Sequence, residues 1–355
     1  MGKFIEPAGT HPVRIGVVGA GYMGQRYARI ASEHPGAELI AVVDVNTDVA
    51  TTTALEYGAK AYQDVGTALQ ESSVDAVVVA TFEDAHVEPC VMALEVGVAV
   101  LVEKPLSSTV SGARTILAAA AKSPAPLMVG HLLRFDGRYA ALRNAVAAGE
   151  LGTPLTAMAR RLNTVNAQDR LRGRSTLPVF LGVHDFDLLR WVLNDEVVEV
   201  SASAREGHLR GLGYPVEDAV FATLTFSRGT LALVELGWIL PPGHPSGFDQ
   251  HLEITGTEGW ASVDGVYSGF SLATAERLRW PDTTLAPVIG GVVGGALERS
   301  FSAFVDTVLA KGSPPVTGQD GLRALEIALA VQESAATGMR VPVRGGEDDR
   351  YGTAN

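Results

Sequence analysis

The sequence predicts an α/β protein in two parts: a doubly wound parallel sheet first, then a second α+β domain with a large, mostly antiparallel open sheet. Three observations carry this. Glycines at 19, 21 and 24 follow one apolar run, and a second apolar run ends in Asp44. Strand and helix patterns alternate through the first third of the chain. From about residue 153, runs of strand pattern replace that alternation. Alternating β and α segments build a parallel sheet covered on both faces, whereas successive strands build an antiparallel one.

The first element, Arg14-Ile-Gly-Val-Val, reads as a buried strand. Gly19 permits the tight turn out of it, Gly21 leaves the backbone open to a pyrophosphate, and Gly24 lets the following helix pack on the sheet. The helix N-terminus offers N–H groups and a positive dipole end to phosphates. Asp44 lies 20 residues beyond Gly24 (44 − 24). A carboxylate there accepts hydrogen bonds from the adenosine ribose and repels a 2′-phosphate, which favours NAD over NADP. Three glycines alone are a weak signal, shared with other glycine-rich turns; flanking strands and the acid make it specific.

A helix over 46–57, a strand over 74–80 and a helix over 86–95 ended by Gly97 come next. They are followed by a strand at 98–102, a helix at 109–121 and a strand at 127–129. Ligands on such sheets lie beyond the carboxyl ends of strands. Attention therefore falls on Gly19, Asp44, Thr81-Phe82-Glu83, Glu103-Lys104-Pro105 and His131. Further along, 156–162, 197–204, 219–226, 230–238 and 252–254 read as strands, with a strong helix at 185–193. Such a sheet has one face covered by helices and one left free, which calls for cover by another subunit. The glycine-rich stretch 281–296 reads as a flexible loop over the site, and helical patterns return at 297–309 and 321–337. The expected boundaries are a dinucleotide domain at 1–133, a substrate and oligomerisation domain at 134–310, a helical segment at 311–345 returning toward the first domain, and a tail at 346–355.

Composition narrows the function. With 46% hydrophobic and 19% charged residues the chain has ample core for two globular domains. A net charge of −12 argues against nucleic acid or an anionic membrane as partner. No run of 18 apolar residues suggests a membrane span, and no apolar leader is evident at the N-terminus, so a cytoplasmic protein is expected. The single Cys90 lies in an apolar helical stretch and reads as a buried, inert thiol. No metal site is expected, because nothing resembles a Cys/His zinc pattern.

Three constellations carry chemistry. Lys104, directly after a buried strand, is placed to polarise a substrate oxygen and steady an alkoxide, although a lone lysine at a strand end is also an ordinary solvated charge. His184, Asp187 and Trp191 are spaced to share one helix face. His184 suits proton transfer at neutral pH, while Asp185 reads better as a helix cap, a role His184 could also take. Arg134, Arg161, Asn163 and Trp238 stand at the ends of second-domain elements, where guanidinium, amide and indole groups would suit a polyol.

On these residues the chain resembles the Gfo/Idh/MocA oxidoreductases. The likeness runs through Val18-Gly-Ala-Gly-Tyr22-Met23-Gly24, Ala80-Thr81 with His86, Glu103-Lys104-Pro105, Arg134-Phe135, His184-Asp-Phe-Asp187, Gly256-Thr-Glu-Gly259 and the segment from Pro315 to Ala324. It implies a Rossmann domain with Gly19, Gly21, Tyr22, Met23, Gly24, Asp44, Thr81, His86, Glu103 and Lys104 at the cofactor, NAD. It also implies a sheet domain whose open face mediates dimers or tetramers. The resemblance further implies Lys104 and His184 as the catalytic pair, with Asp187 and Asn163 at positions that bind substrate hydroxyls. One departure stands out: many relatives carry Asp four residues before the histidine, and here that residue is Phe180. Phe180 and Phe82 imply a more apolar pocket. The expected activity is an NAD-dependent dehydrogenase acting on a sugar or cyclitol alcohol. Alternatives are an NAD-dependent glycosidase working through transient C3 oxidation, and a non-catalytic dinucleotide sensor, against which Lys104 and His184 argue.

Overall fold

Apolar strands and amphipathic helices alternate at the start of the chain. They are β1 (Val13–Val18), α1 (Tyr22–Glu33), β2 (Ala37–Val43), α2 (Thr47–Tyr57), β3 (Lys60–Tyr62) and α3 (Val65–Glu71). Then come β4 (Ala76–Val79), α4 (Val87–Glu95), β5 (Ala99–Val102), α5 (Val110–Ala120) and β6 (Leu127–Val129). The structure is a computed structural model and describes residues 11–266 and 270–343; the 346–355 tail lies outside the described residues. The chain divides into two units, one running to Gly130 and including Val288–Gln319, the other holding His131–Pro287 and the chain from Asp320.

In the first unit all pairings of the sheet β3-β2-β1-β4-β5-β6 are parallel. Every residue of β4 and β5 is buried, as strands covered on both faces require. Strand order reverses between β1 and β4, the place where a doubly wound sheet opens a crevice for a ligand.

The second unit begins with α6 (Gly137–Ala147), β7 (Pro154–Thr164), α7 (Gln168–Leu171), α8 (Val183–Leu193), β8 (Val197–Arg205) and α9 (His208–Gly211). It continues with β9 (Ala219–Phe226), β10 (Leu231–Leu240), β11 (Phe248–Gly256), β12 (Trp260–Asp264), β13 (Leu272–Ala273) and β14 (Leu278–Arg279). After β15 (Val288–Ile289), β16 (Val292–Val293) and α10 (Gly295–Ala310), the chain returns through α11 (Gly318–Thr337) and β17 (Val341–Pro342). The sheet runs β12-β11-β7-β10-β9-β8-β17, antiparallel except where β7 meets β10. Alternation along β10 buries Ala232, Val234, Leu236 and Trp238 in one core with Phe186 and Leu189 of α8 and Ala328 and Val331 of α11. The opposite face leaves Met158, Phe221, Leu231 and Leu233 exposed, 40–49% each.

Three expectations about the C-terminal third are corrected. Helix α10, placed by sequence in the second domain, belongs to the first unit: Phe301 is fully buried, its ring 6.4 Å from Tyr27 and 5.6 Å from His34. Much of the stretch 281–296 is no loose loop over a site. Gly290 and Gly291, with φ of 62° and 90°, form the two-residue turn of the β15–β16 hairpin. Arg29 donates to the Gly291 carbonyl at 2.6 Å and Glu33 accepts from the Val293 amide at 2.8 Å, tying the hairpin to α1. Finally, α11 packs in the core of the second sheet, and only the stretch before it returns to β6, where the Val129 amide donates to Val316 at 3.3 Å.

Candidate active site

In the first unit the glycine turn leaves space in one place and closes it in two. Gly19 has φ +89°, and a Cβ there would lie 2.8 Å from the Ala80 backbone. A Cβ at Gly24 would lie 1.7 Å from the Gly19 carbonyl oxygen, so α1 can approach the turn only with glycine at that position. Around Gly21 a Cβ would meet nothing within 4 Å. Gly21 caps α1 without a side-chain bond, leaving the helix N-terminus available to an anion. This cradle fits a pyrophosphate. Asp44 is anchored beside it: one carboxylate oxygen accepts from the Ala20 amide and the other from the Asn46 amide, both at 2.8 Å. Each oxygen has a second lone pair for a ribose hydroxyl. Tyr22 and Met23 open α1, Tyr22 more than half exposed with the Arg26 guanidinium 3.7 Å from its ring centroid.

Lys104 lies two residues beyond the end of β5, after Glu103, and its bond to Pro105 is cis. The elements beneath it are buried. Glu103 accepts from the Tyr27 hydroxyl at 2.8 Å and from the Lys104 amide at 3.2 Å. Burial pushes the Glu103 carboxyl up, while the Lys104 charge and the Tyr27 bond pull it back. His86, also buried, has Nδ1 3.0 Å from the Pro105 carbonyl and Nε2 3.2 Å from the Thr81 carbonyl. Burial pushes its imidazole down. Two residues assigned to the cofactor by sequence, His86 and Glu103, are buried and hydrogen-bonded within the first unit. Thr81 is partly exposed, its hydroxyl 3.3 Å from the Phe82 carbonyl.

In the second unit α8 is entered through an unusual turn. Pro178–Gly182 makes a π-helical turn that runs straight into α8. Such turns recur at functional sites. A Cβ at Gly182 would sit 2.6 Å from the Phe186 ring and 2.9 Å from Leu236, so only glycine lets α8 start this close to β10. Phe180 stands 6.3 Å, ring to ring, from Trp238. His184 is partly exposed in the first turn of α8.

Three substrate-binding assignments meet competing partners and a fourth is buried in the core. Trp238 is fully buried, so it lines the core and presents no face to a sugar. Arg161 is buried, bonded twice to Asp185 at 2.6 and 2.8 Å and once to Gln250 at 2.6 Å. Asp185 is therefore no helix cap but the counter-charge of Arg161. Arg134 and Asp187 are bonded to each other, with Asp320 3.0 Å from Arg134. Asn163 stays partly exposed at the end of β7, paired in register with Trp238 and Phe248.

Sequence reasoning missed Tyr27. The available signal was its place three residues beyond Gly24, on the α1 face shared by buried Ala28, Ile30 and Ala31. Cys90 is buried as expected, and burial pushes its thiol up.

A six-stranded parallel sheet with this glycine cradle, an acid after β2 and a lysine after β5 defines a dinucleotide-dependent oxidoreductase. Residues 13–131 match the family described as "Oxidoreductase family, NAD-binding Rossmann fold", and residues 139–262 match the GFO/IDH/MocA C-terminal domain. The chain belongs to the Gfo/Idh/MocA oxidoreductase family. It is 30% identical over 343 residues to 1,5-anhydro-D-fructose reductase of Ensifer adhaerens, covering 94% of this chain and 99% of that protein. It is 28% identical over 339 residues to inositol 2-dehydrogenase/D-chiro-inositol 3-dehydrogenase of Lacticaseibacillus casei, covering 91% and 92%. The crystal structure of myo-inositol 2-dehydrogenase from Lactobacillus plantarum matches with a TM-score of 0.82 at 20% identity, over 94% of this chain and all of that one, which shows the shared fold. No helix among the described residues is long and apolar enough to cross a membrane.

Proposed function

We propose that this NAD-dependent oxidoreductase acts on a secondary alcohol of a sugar, sugar derivative or cyclitol. The observation that carries the reading is similarity along more than nine-tenths of the chain to an anhydrofructose reductase and an inositol dehydrogenase. Gly19, Gly21 and Gly24 with the start of α1 hold the pyrophosphate, and Asp44 the adenosine ribose. Bound NAD supplies the hydride acceptor. His184 takes the hydroxyl proton, and the Lys104 ammonium steadies the alkoxide as the carbon gives up its hydride. Asn163 is the remaining partly exposed amide for substrate hydroxyls. A spectrophotometric screen of inositols, free sugars and anhydro-sugars for NADH formation, or for NADH consumption with the ketones, tests this.

Phe180 favours a second reading. An aromatic ring beside Trp238, where many relatives hold Asp, suits a substrate carrying an apolar aglycone, and the same transient oxidation would then lead to glycoside cleavage.

The exposed apolar strands of the second sheet support a homodimer or homotetramer, since closed symmetric pairing is the commonest cover for such a face. A cytoplasmic setting completes the reading.

A further inference from the structure

We propose that Arg161 and Asp185 are positioning residues: their buried two-bond pair holds Asn163 of β7 and His184 of α8 in one fixed frame. This role depends on His184 and Asn163 meeting the substrate, as proposed above. Arg161 Nε donates to Asp185 Oδ2 at 2.6 Å, and Nη2 donates to Oδ1 at 2.8 Å. Nη1 donates to Gln250 of β11 at 2.6 Å, and the Gln250 side chain donates in turn to the Gly265 carbonyl at 3.0 Å. Both members of the pair are buried. His184 directly precedes Asp185, about 100° away around the same helical turn. Asn163 lies two residues beyond Arg161, on the same face of β7. Each proposed substrate residue is thus the near neighbour of one arm of the pair.

A buried ion pair adds little net stability, because desolvation offsets the attraction. What a guanidinium fork adds is direction: two parallel bonds to one carboxylate admit a single relative orientation. The start of α8 needs such a constraint. Gly182 caps it with no side-chain bond, and the π turn before it, with its i→i+5 bonding, rotates the chain differently from the helix it feeds. Phe186 and Leu189 hold α8 on the sheet through apolar contacts, which are not directional. The fork therefore sets the rotation of the first turn of α8, and with it the direction of His184 relative to Asn163.

The test is a double-mutant cycle in the full-length protein between the pair and His184, read as NADH formed from a panel of inositols and pyranoses at saturating NAD. Arg161→Met together with Asp185→Leu removes both charges and strands neither. A misplacement of about 1 Å costs on the order of 10²-fold in rate, so this pair variant should lose about that much in kcat with NAD affinity unchanged. Added to His184→Ala, it should bring little further loss of kcat, since a group already removed cannot be misplaced. Wild-type kcat in the pair variant, or full multiplication of the two losses, would overturn the proposal. His184→Ala alone judges the underlying reading: near-normal turnover removes the histidine from the chemistry and the positioning role with it. A slow His184→Ala beside a fully active pair variant sinks the positioning role only. Should the pair variant not fold, Arg161→Lys, which keeps the charge without the fork, carries the same cycle. Hydrogen exchange needs no substrate: amides 183–187 should exchange about tenfold faster in the variant while those of α1 stay fixed. Equal rates at 183–187 would also overturn the proposal.

Discussion

Arg134 and Asp187 hold each other in a two-bond pair, Nε to Oδ2 at 2.9 Å and Nη2 to Oδ1 at 2.5 Å, with side chains 7% and 2% exposed. The His131 ring lies 3.8 Å from the same carboxylate. Asp187 is one turn beyond His184, yet its first task is to neutralise a buried guanidinium. Removing one partner of a buried pair costs up to about 3–5 kcal/mol when the other charge is stranded, and Asp320, 3.0 Å from Arg134, offsets part of that cost here. Asp187→Ala should therefore unfold at markedly lower urea concentration than wild type. A variant of unchanged stability whose only defect is a raised KM would instead make Asp187 a substrate ligand.

The glycine cradle separates folding from cofactor binding. Nothing stands near Gly21, so Gly21→Ala should fold normally and lose NAD affinity by tenfold or more, about 1.4 kcal/mol. Gly24→Ala collides with the Gly19 carbonyl and should lower the melting temperature as well. Calorimetry of binding and of unfolding checks both; normal NAD affinity in Gly21→Ala would remove the pyrophosphate from that position.

Asp44 should set the choice of cofactor. Its charge faces the ribose end of the cradle and opposes a 2′-phosphate, so Asp44→Ala should narrow or reverse the ratio of NAD to NADP affinity. Because Asp44 also accepts from the Ala20 and Asn46 amides, part of the NAD loss will come from a looser turn. Tighter binding of NADP by the wild type would refute the assignment.

Acid stability has a defined contributor in Asp75, whose carboxyl is held below the usual range chiefly by hydrogen bonding from the Arg14 side chain. A carboxyl lowered on folding stabilises above its unfolded pKa of about 3.9, and that contribution is lost as pH falls through the lower folded value. Asp75→Asn should flatten the stability profile in that acidic window and lower stability at neutral pH. Parallel profiles for variant and wild type below pH 4 or so would exclude the pair as a source of the slope.

How far the sequence was legible follows from what is local. The glycine turn, the acid after β2 and the continuous apolar runs of β4 and β5 are short-range patterns, and they specified the first sheet. Partners are not local. Arg161 finds Asp185 across 24 positions and Arg134 finds Asp187 across 53, so the two arginines that suit a polyol are already engaged by aspartates. Trp238 could have been read correctly, since it continues the inward alternation Ala232, Val234, Leu236. Helix α10 could not: its apolar face suits either core, and the β15–β16 hairpin tied to α1 delivers it to the first.

The most direct measurement of the central claim is NADH stoichiometry, followed by near-ultraviolet absorbance while product is quantified, over a panel of inositols, sugars and aryl glycosides. Wild type should form one NADH per alcohol oxidised on at least one sugar or cyclitol. Lys104→Ala and His184→Ala should each turn over about 10²–10⁴-fold more slowly with NAD binding retained. Glycoside cleavage without net NADH, or near-normal turnover in both variants, would contradict the account.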